Sequence, residues 1–208
     1  MSAPLADQPF SYPVVKSDTA WHGRLFDLVD DAVDLGAQGV VPREYLRHPG
    51  AVAIVALDDE GRVALVNQYR HPVRYVLWEI PAGLLDVSGE KALDAAKREL
   101  AEEADLVARD WHVLVDMFTS PGGTSEALRI YLARGLSATG TKFARYDEEA
   151  NMQVRWERLE DVVAGVFAGR IHNPTAVVGT LATLAARAAG WAPLRPADAP
   201  WPARPAAV

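Results

Sequence analysis

The sequence predicts an α/β fold: a mixed sheet with helices on both faces, preceded by a small antiparallel β subdomain. Three observations predict it. Apolar strand-like runs recur at residues 51–57, 62–68, 76–80, 111–117 and 127–133. An alanine-rich, charged helical stretch separates the third run from the fourth, and two more helical stretches follow the fifth. Ahead of them all, residues 12–48 read as short strands broken by turn residues.

Taken in order, residues 1–11 carry Pro4 and Pro9 among small polar residues and read as a loose arm. A short strand is expected at 12–15, a partly alternating one at 25–35, a turn at Ala37-Gln38-Gly39 and the return strand at 40–48. So small a unit is too short to bury a core alone, which sets residues 1–48 apart as a subdomain leaning on the rest. The continuous apolar run 51–57 is a buried strand, the acidic turn 58–61 follows, and 62–68 returns. A tight loop, 119–126, joins the strands 111–117 and 127–133. Residues 147–151 are acidic and irregular, 152–156 a short strand and 159–167 a helix. His172-Asn173-Pro174 starts the last helix, with proline in its first turn. The main domain thus spans 49–189. From Gly190 onward there are five prolines in 19 residues, so 190–208 is expected to be disordered or draped over the surface.

Composition narrows the function. Half of the 208 residues are apolar, enough for a full core in one main domain. There are no cysteines, which excludes disulfides, thiolate metal sites and a cysteine nucleophile, and fits a reducing cytoplasm. No basic start with an apolar h-region opens the chain, so no secretory signal is expected. No apolar run nears the length needed to span a membrane. The net charge of −7 shows no basic patch for nucleic acid. An anionic substrate would need metal ions and placed arginines.

The chemistry centres on 83–106, GLLDVSGEKALDAAKRELAEEADL. Neither Pro nor Gly falls between Lys91 and Ala104, and strong helix formers dominate. Leu93, Ala96, Leu100 and Ala104 make one apolar stripe. Glu99 and Glu103 stack four apart on one edge of it, with Glu102 on the same acidic side. Stacked like charges repel. A solvated acidic face is the plainer reading; the chemical one is a hard divalent cation, Mg²⁺ by choice, held by carboxylate oxygens.

This stretch resembles the signature of the Nudix hydrolases, Gly-x5-Glu-x7-Arg-Glu-U-x-Glu-Glu-x-Gly-U with U aliphatic. It departs twice. Six residues rather than five separate Gly83 from Glu90, and Asp105 stands where the last glycine would end the helix. Asp tolerates the left-handed conformation better than most residues. The resemblance implies a Nudix α/β/α sandwich, with metal held by Glu99, Glu103, Glu102 and the backbone carbonyl of Ala82. Arg98 would assist by pairing with a carboxylate, Glu90 above all, and Gly83 and Glu90 would support the loop.

In many such enzymes the catalytic base lies outside this box. The resemblance to the ADP-ribose pyrophosphatase subgroup matches it to Glu148, with Glu149 one step behind; a solvated acidic turn is the alternative. Pro121, sixteen residues after Asp105, and its neighbour Gly122 also fit that subgroup. By the same resemblance Phe26 would stack on adenine and Arg43 would sit near the base. Arg70 at a strand end could fork onto phosphate oxygens. Glu79, flanked by apolar residues, could accept from a ribose hydroxyl or from Arg70. The expectation is a Mg²⁺-dependent hydrolase (Mn²⁺ a possible substitute) that splits ADP-ribose into AMP and ribose 5-phosphate. A GDP-sugar or similar substrate is the runner-up, and a nucleotide-sensing module without catalysis the third reading. The same likeness implies a homodimer built through residues 1–48.

Overall fold

The computed structural model describes residues 4–140, 143 and 152–204. Strands β1 (Val14–His22), β2 (Asp27–Asp34) and β3 (Val40–Arg47) form an antiparallel sheet in the order β1-β2-β3. A 3-10 turn, Gly36–Gln38, closes the β2–β3 hairpin, with Gly39 at φ 83. The core follows as β4 (Ala51–Ala56), β5 (Arg62–Arg70), β6 (Tyr75–Glu79), β7 (Ala82–Leu84), α1 (Ala92–Ala104), β8 (Leu106–Phe118) and β9 (Ala127–Ala138). Then come β10 (Val154–Arg158), α2 (Leu159–Phe167), α3 (Pro174–Ala188) and β11 (Arg195–Pro196).

The main sheet runs β11-β8-β9-β4-β7, with β4 parallel to β9 and antiparallel to β7. A smaller antiparallel sheet runs β10-β5-β6. Every residue of β4 is buried because the strand is covered on both faces, and its side chains divide by parity. Ala51, Ala53 and Val55 join Ile80, Leu128, Ile130 and Leu132 in a core that reaches Val162 and Val163 of α2 and Val178 and Leu181 of α3. Val52, Ile54 and Ala56 turn the other way, to Ala95, Ala96, Leu100 and Ala104 of α1. That double coverage is the predicted α/β layering.

Strand lengths differ from the sequence expectation where burial is weak. β1 is longer than expected because its polar residues form an exposed edge strand with no apolar alternation. β8 and β9 extend past the core as a long hairpin, with an irregularity between Val113 and Val115. The start of α3 is as expected: Asn173 caps it by accepting from the Ala176 N–H at 3.0 Å, with Pro174 in the first turn.

Of the two courses expected beyond Gly190, disordered or draped over the surface, residues 190–204 follow the second. Trp191 and Leu194 pack on one core and Ala199 and Trp201 on the other. β11 pairs with β8 through Arg195 and Pro196. Arg129, buried in β9, donates to the carbonyls of Ala199 and Pro200 at 2.8 and 3.0 Å, and its guanidinium lies 4.8 Å from the Trp201 ring centroid. Large aromatic surfaces and a buried cation fix a segment whose prolines alone suggested a loose tail.

Candidate active site

β7 and α1 build the acidic constellation. Ala82 and Gly83 lie opposite Ala53 and Val52 of the central strand β4, so the loop ahead of the helix is anchored to the most buried part of the sheet. Glu103 is buried at 6% exposure and accepts from the Ala82 N–H at 2.9 Å. Glu99 lies against Gly83 so closely that a Cβ there would come within 2.0 Å of its carboxyl carbon. Gly83 has no positive φ, so glycine is required here for close approach rather than for conformation.

Arg98 organises the outer part. Its Nε and Nη2 donate to the two oxygens of Glu90, both at 3.0 Å, and Nη1 donates to Glu99 at 2.6 Å and to Glu102 at 3.2 Å. The hydrogen bonds it donates to Glu90 hold the guanidinium far above its ordinary pKa, against partial burial, with Glu99 adding to the shift. Reciprocally, Arg98 keeps the Glu90 carboxyl below its ordinary value. The extra loop residue does not disturb this fork. An exposed turn at 87–90 absorbs it, with Gly89 at φ 78 and Glu90 N–H donating to the Val87 carbonyl at 3.2 Å. Asp105 ends α1 in the left-handed region, φ 55 and ψ 34, as its place in the motif requires.

Among the described residues no three acidic or histidine side chains converge into a closed metal cage. The donor set nonetheless fits a hard divalent cation. Two carboxylates, Glu99 and Glu103, border the same β7 loop, and a glycine clears the space for one of them. Mg²⁺ is typically held by one or two carboxylates, with water and substrate phosphate completing its octahedron.

The remaining expected residues fall in two groups. Arg70 and Glu79 are brought together: Arg70 Nε and Nη2 donate to the Glu79 oxygens at 2.8 and 2.6 Å, with the Glu79 side chain 3% exposed and that of Arg70 41%. Trp78 is partly buried against the core, with Arg155 over its ring. Arg74 is exposed at the β5–β6 turn with φ 57. Arg43 lies exposed on β3, donating to the Pro42 carbonyl at 2.8 Å. Pro121 and Gly122 are exposed in the 119–126 loop, which is stitched to β3: Leu46 N–H donates to Gly123 O and Ser125 N–H to Leu46 O, both at 2.9 Å. Glu148 and Glu149 lie outside the described residues.

Phe26, in the β1–β2 connection, stacks on His48 at 6.3 Å between centroids and 23° between planes. Sequence reasoning passed over His48. A hint was its position just before the buried strand β4, where a titratable side chain is seldom left in solvent. A cavity of about 300 Å³ lined by Val73, Tyr75, Leu77, His172 and Pro174 shares no residue with the acidic constellation.

Comparison with known proteins places the chain in one family. The family model of the NUDIX domain matches residues 47–175. An ADP-ribose pyrophosphatase of Mycobacterium tuberculosis is 44% identical over 94% of both chains. A methanol dehydrogenase activator of Bacillus methanolicus is 33% identical over 81% of this chain and 90% of its own. A crystal structure of an ADP compounds hydrolase superposes with a TM-score of 0.70 at 22% identity, covering 90% of this chain and 99% of that one, which supports the fold. With the Arg98–Glu103 box intact on its helix, the chain belongs to the Nudix family of hydrolases.

Proposed function

We propose that this protein is a Mg²⁺-dependent ADP-ribose pyrophosphatase, releasing AMP and ribose 5-phosphate, with Mn²⁺ as a possible substitute. The observation that carries the reading is 44% identity across nearly the whole length of a relative of that name. The methanol dehydrogenase activator is more distant, at 33%.

A divalent cation bound here would neutralise phosphate charge and lower the pKa of a bound water. Glu99 and Glu103 would hold it, with Glu102 and the Ala82 carbonyl completing the protein's share. Arg98 orients Glu99 and Glu102 by donating to both, and Glu90 fixes Arg98 in turn. Arg70, held in plane by the buried Glu79, would direct its exposed edge to a phosphate. Phe26 and Arg43 would receive the base, with Pro121 and Gly122 as further substrate contacts. Glu148 is the proposed base, Glu149 its neighbour. Glu148→Gln should lower turnover by roughly 10² to 10⁴ while calorimetry still registers Mg²⁺ binding; unchanged turnover would move the role to Glu149 or to the helix.

The working form proposed is a cytoplasmic homodimer. Phe10, Val15, Trp21 and Val40 of the N-terminal segment are 78%, 64%, 57% and 55% exposed, an apolar surface that a second copy would cover. The function is tested by incubating the protein with Mg²⁺ and ADP-, GDP- and UDP-sugars, coupling to a phosphatase and measuring phosphate. ADP-ribose should give the highest kcat/KM. A GDP-sugar preference would replace the substrate, and binding without cleavage would replace the enzyme.

A further inference from the structure

We propose that His48 is a positioning residue for the nucleobase: it holds the Phe26 ring as a platform and ties that platform to the catalytic core. The proposal deepens the reading above and rests on it. His48 lies at a junction of three segments. Its backbone N–H donates to Ser125 Oγ at 2.9 Å, which fixes it to the 119–126 loop. Its Nδ1 accepts from the Gly50 N–H at 3.1 Å, which fixes the ring to the start of β4. Its face stacks on Phe26, the one bridge of the three to the β1–β2 connection.

The Gly50 bond also selects the tautomer. With Nδ1 accepting, the neutral ring carries its proton on Nε2, which faces Glu126 Oε1 at 3.7 Å. Glu126 is itself held by the Thr119 hydroxyl at 2.5 Å. The side chain of His48 is only 14% exposed, and burial pushes its pKa down, with the Glu126 charge opposing. A neutral, oriented imidazole suits an offset aromatic stack.

The position matches a base site. Ala51 and Val52, three and four residues beyond His48, lie opposite Leu84 and Gly83 of the loop that borders the acidic residues. Four residues reach at most about 13 Å, and Gly50 at φ 91 turns the chain on the way, so the stacked pair lies within the span of a nucleoside diphosphate from the loop that borders the acidic residues. Phe26 is half-buried, which leaves ring surface for a ligand.

Two substitutions separate the ring from the turn. His48→Asn keeps an acceptor for the Gly50 N–H, as an Asx turn, but removes the aromatic face. His48→Phe keeps the face and removes the acceptor. The readouts are KM and kcat for ADP-ribose, and Kd by calorimetry for AMP and for ribose 5-phosphate, with thermal melts confirming folding. His48→Asn should raise the ADP-ribose KM and the AMP Kd roughly 2- to 10-fold, the share of one stacked pair. Its kcat and its ribose 5-phosphate Kd should stay near wild type, His48→Phe should recover most of the AMP affinity, and His48→Asn should add nothing in a Phe26→Ala background. Wild-type AMP affinity in His48→Asn, or full additivity with Phe26→Ala, overturns the proposal. A wild-type protein that binds AMP but leaves ADP-ribose intact overturns the substrate reading alone, because the AMP arm still judges His48.

Discussion

Gly83 and Glu99 show how one missing side chain sets a carboxylate. The glycine lies on β7, pinned to Val52, and Glu99 fills the space a Cβ would take. Gly83→Ala should therefore displace Glu99, lower kcat/KM by roughly 10² or more, and cost about 1–3 kcal/mol in urea unfolding, as overpacking does. The spacing of the motif exposed Gly83 and all the helix carboxylates to sequence reading, because an i, i+4 repeat is local. His48 stayed hidden because its partners lie far along the chain; Ser125 is 77 residues away. The same residue gives a pH prediction. Burial holds folded His48 below its ordinary value of 6.5, with Glu126 as the charged group facing it. The unfolded chain then binds the proton first. Stability is unaffected above 6.5 and falls as pH drops below it. The urea midpoint should decrease from about pH 7.5 to about pH 5.5, and this component should vanish in His48→Asn; a midpoint whose pH response is identical in the two proteins would contradict it.

At the scale of elements, α1 ends on a residue that is not glycine. Asp105 occupies φ 55, donates its N–H back to Ala101 at 3.1 Å, and its carbonyl accepts from Thr139 at 3.0 Å. Asp105→Val should cost about 1–2 kcal/mol by thermal melting, and Asp105→Gly should be tolerated. The C-terminal segment carries a second prediction. Arg129, 3% exposed, forks onto Asp116 at 2.7 and 3.0 Å and onto the Ala199 and Pro200 carbonyls. Arg129→Ala strands the Asp116 charge, in part still met by Arg195, and releases the strap; a loss of about 3–5 kcal/mol in chemical unfolding is expected. A continuous apolar run made β4 legible, and helical periodicity made α1 and α3 so, because each helix buries a regular face. It failed for β1, β11 and the outer turns of β8 and β9, whose pairing rests on backbone bonds and long-range contacts rather than on an apolar repeat.

Over the whole molecule, the double-sided core around β4 anchors β7, and α1 sets its acidic residues against that strand. The N-terminal sheet is joined to this core at the Leu46–Ser125 seam and at His48, the segment where the proposed base platform lies. If a second copy covers the exposed apolar residues of that sheet, light scattering should give twice the chain mass, and Trp21→Glu should shift it toward the monomer. The central claim is that Glu99 and Glu103 grip a divalent cation against a diphosphate. The most direct measurement is Mg²⁺-dependent hydrolysis of ADP-ribose by the Glu99→Gln, Glu103→Gln double variant, with folding checked by circular dichroism. A fall of about 10³-fold or more is predicted, the several kcal/mol that a lost Lewis acid is worth; wild-type turnover in the folded double variant would contradict the account.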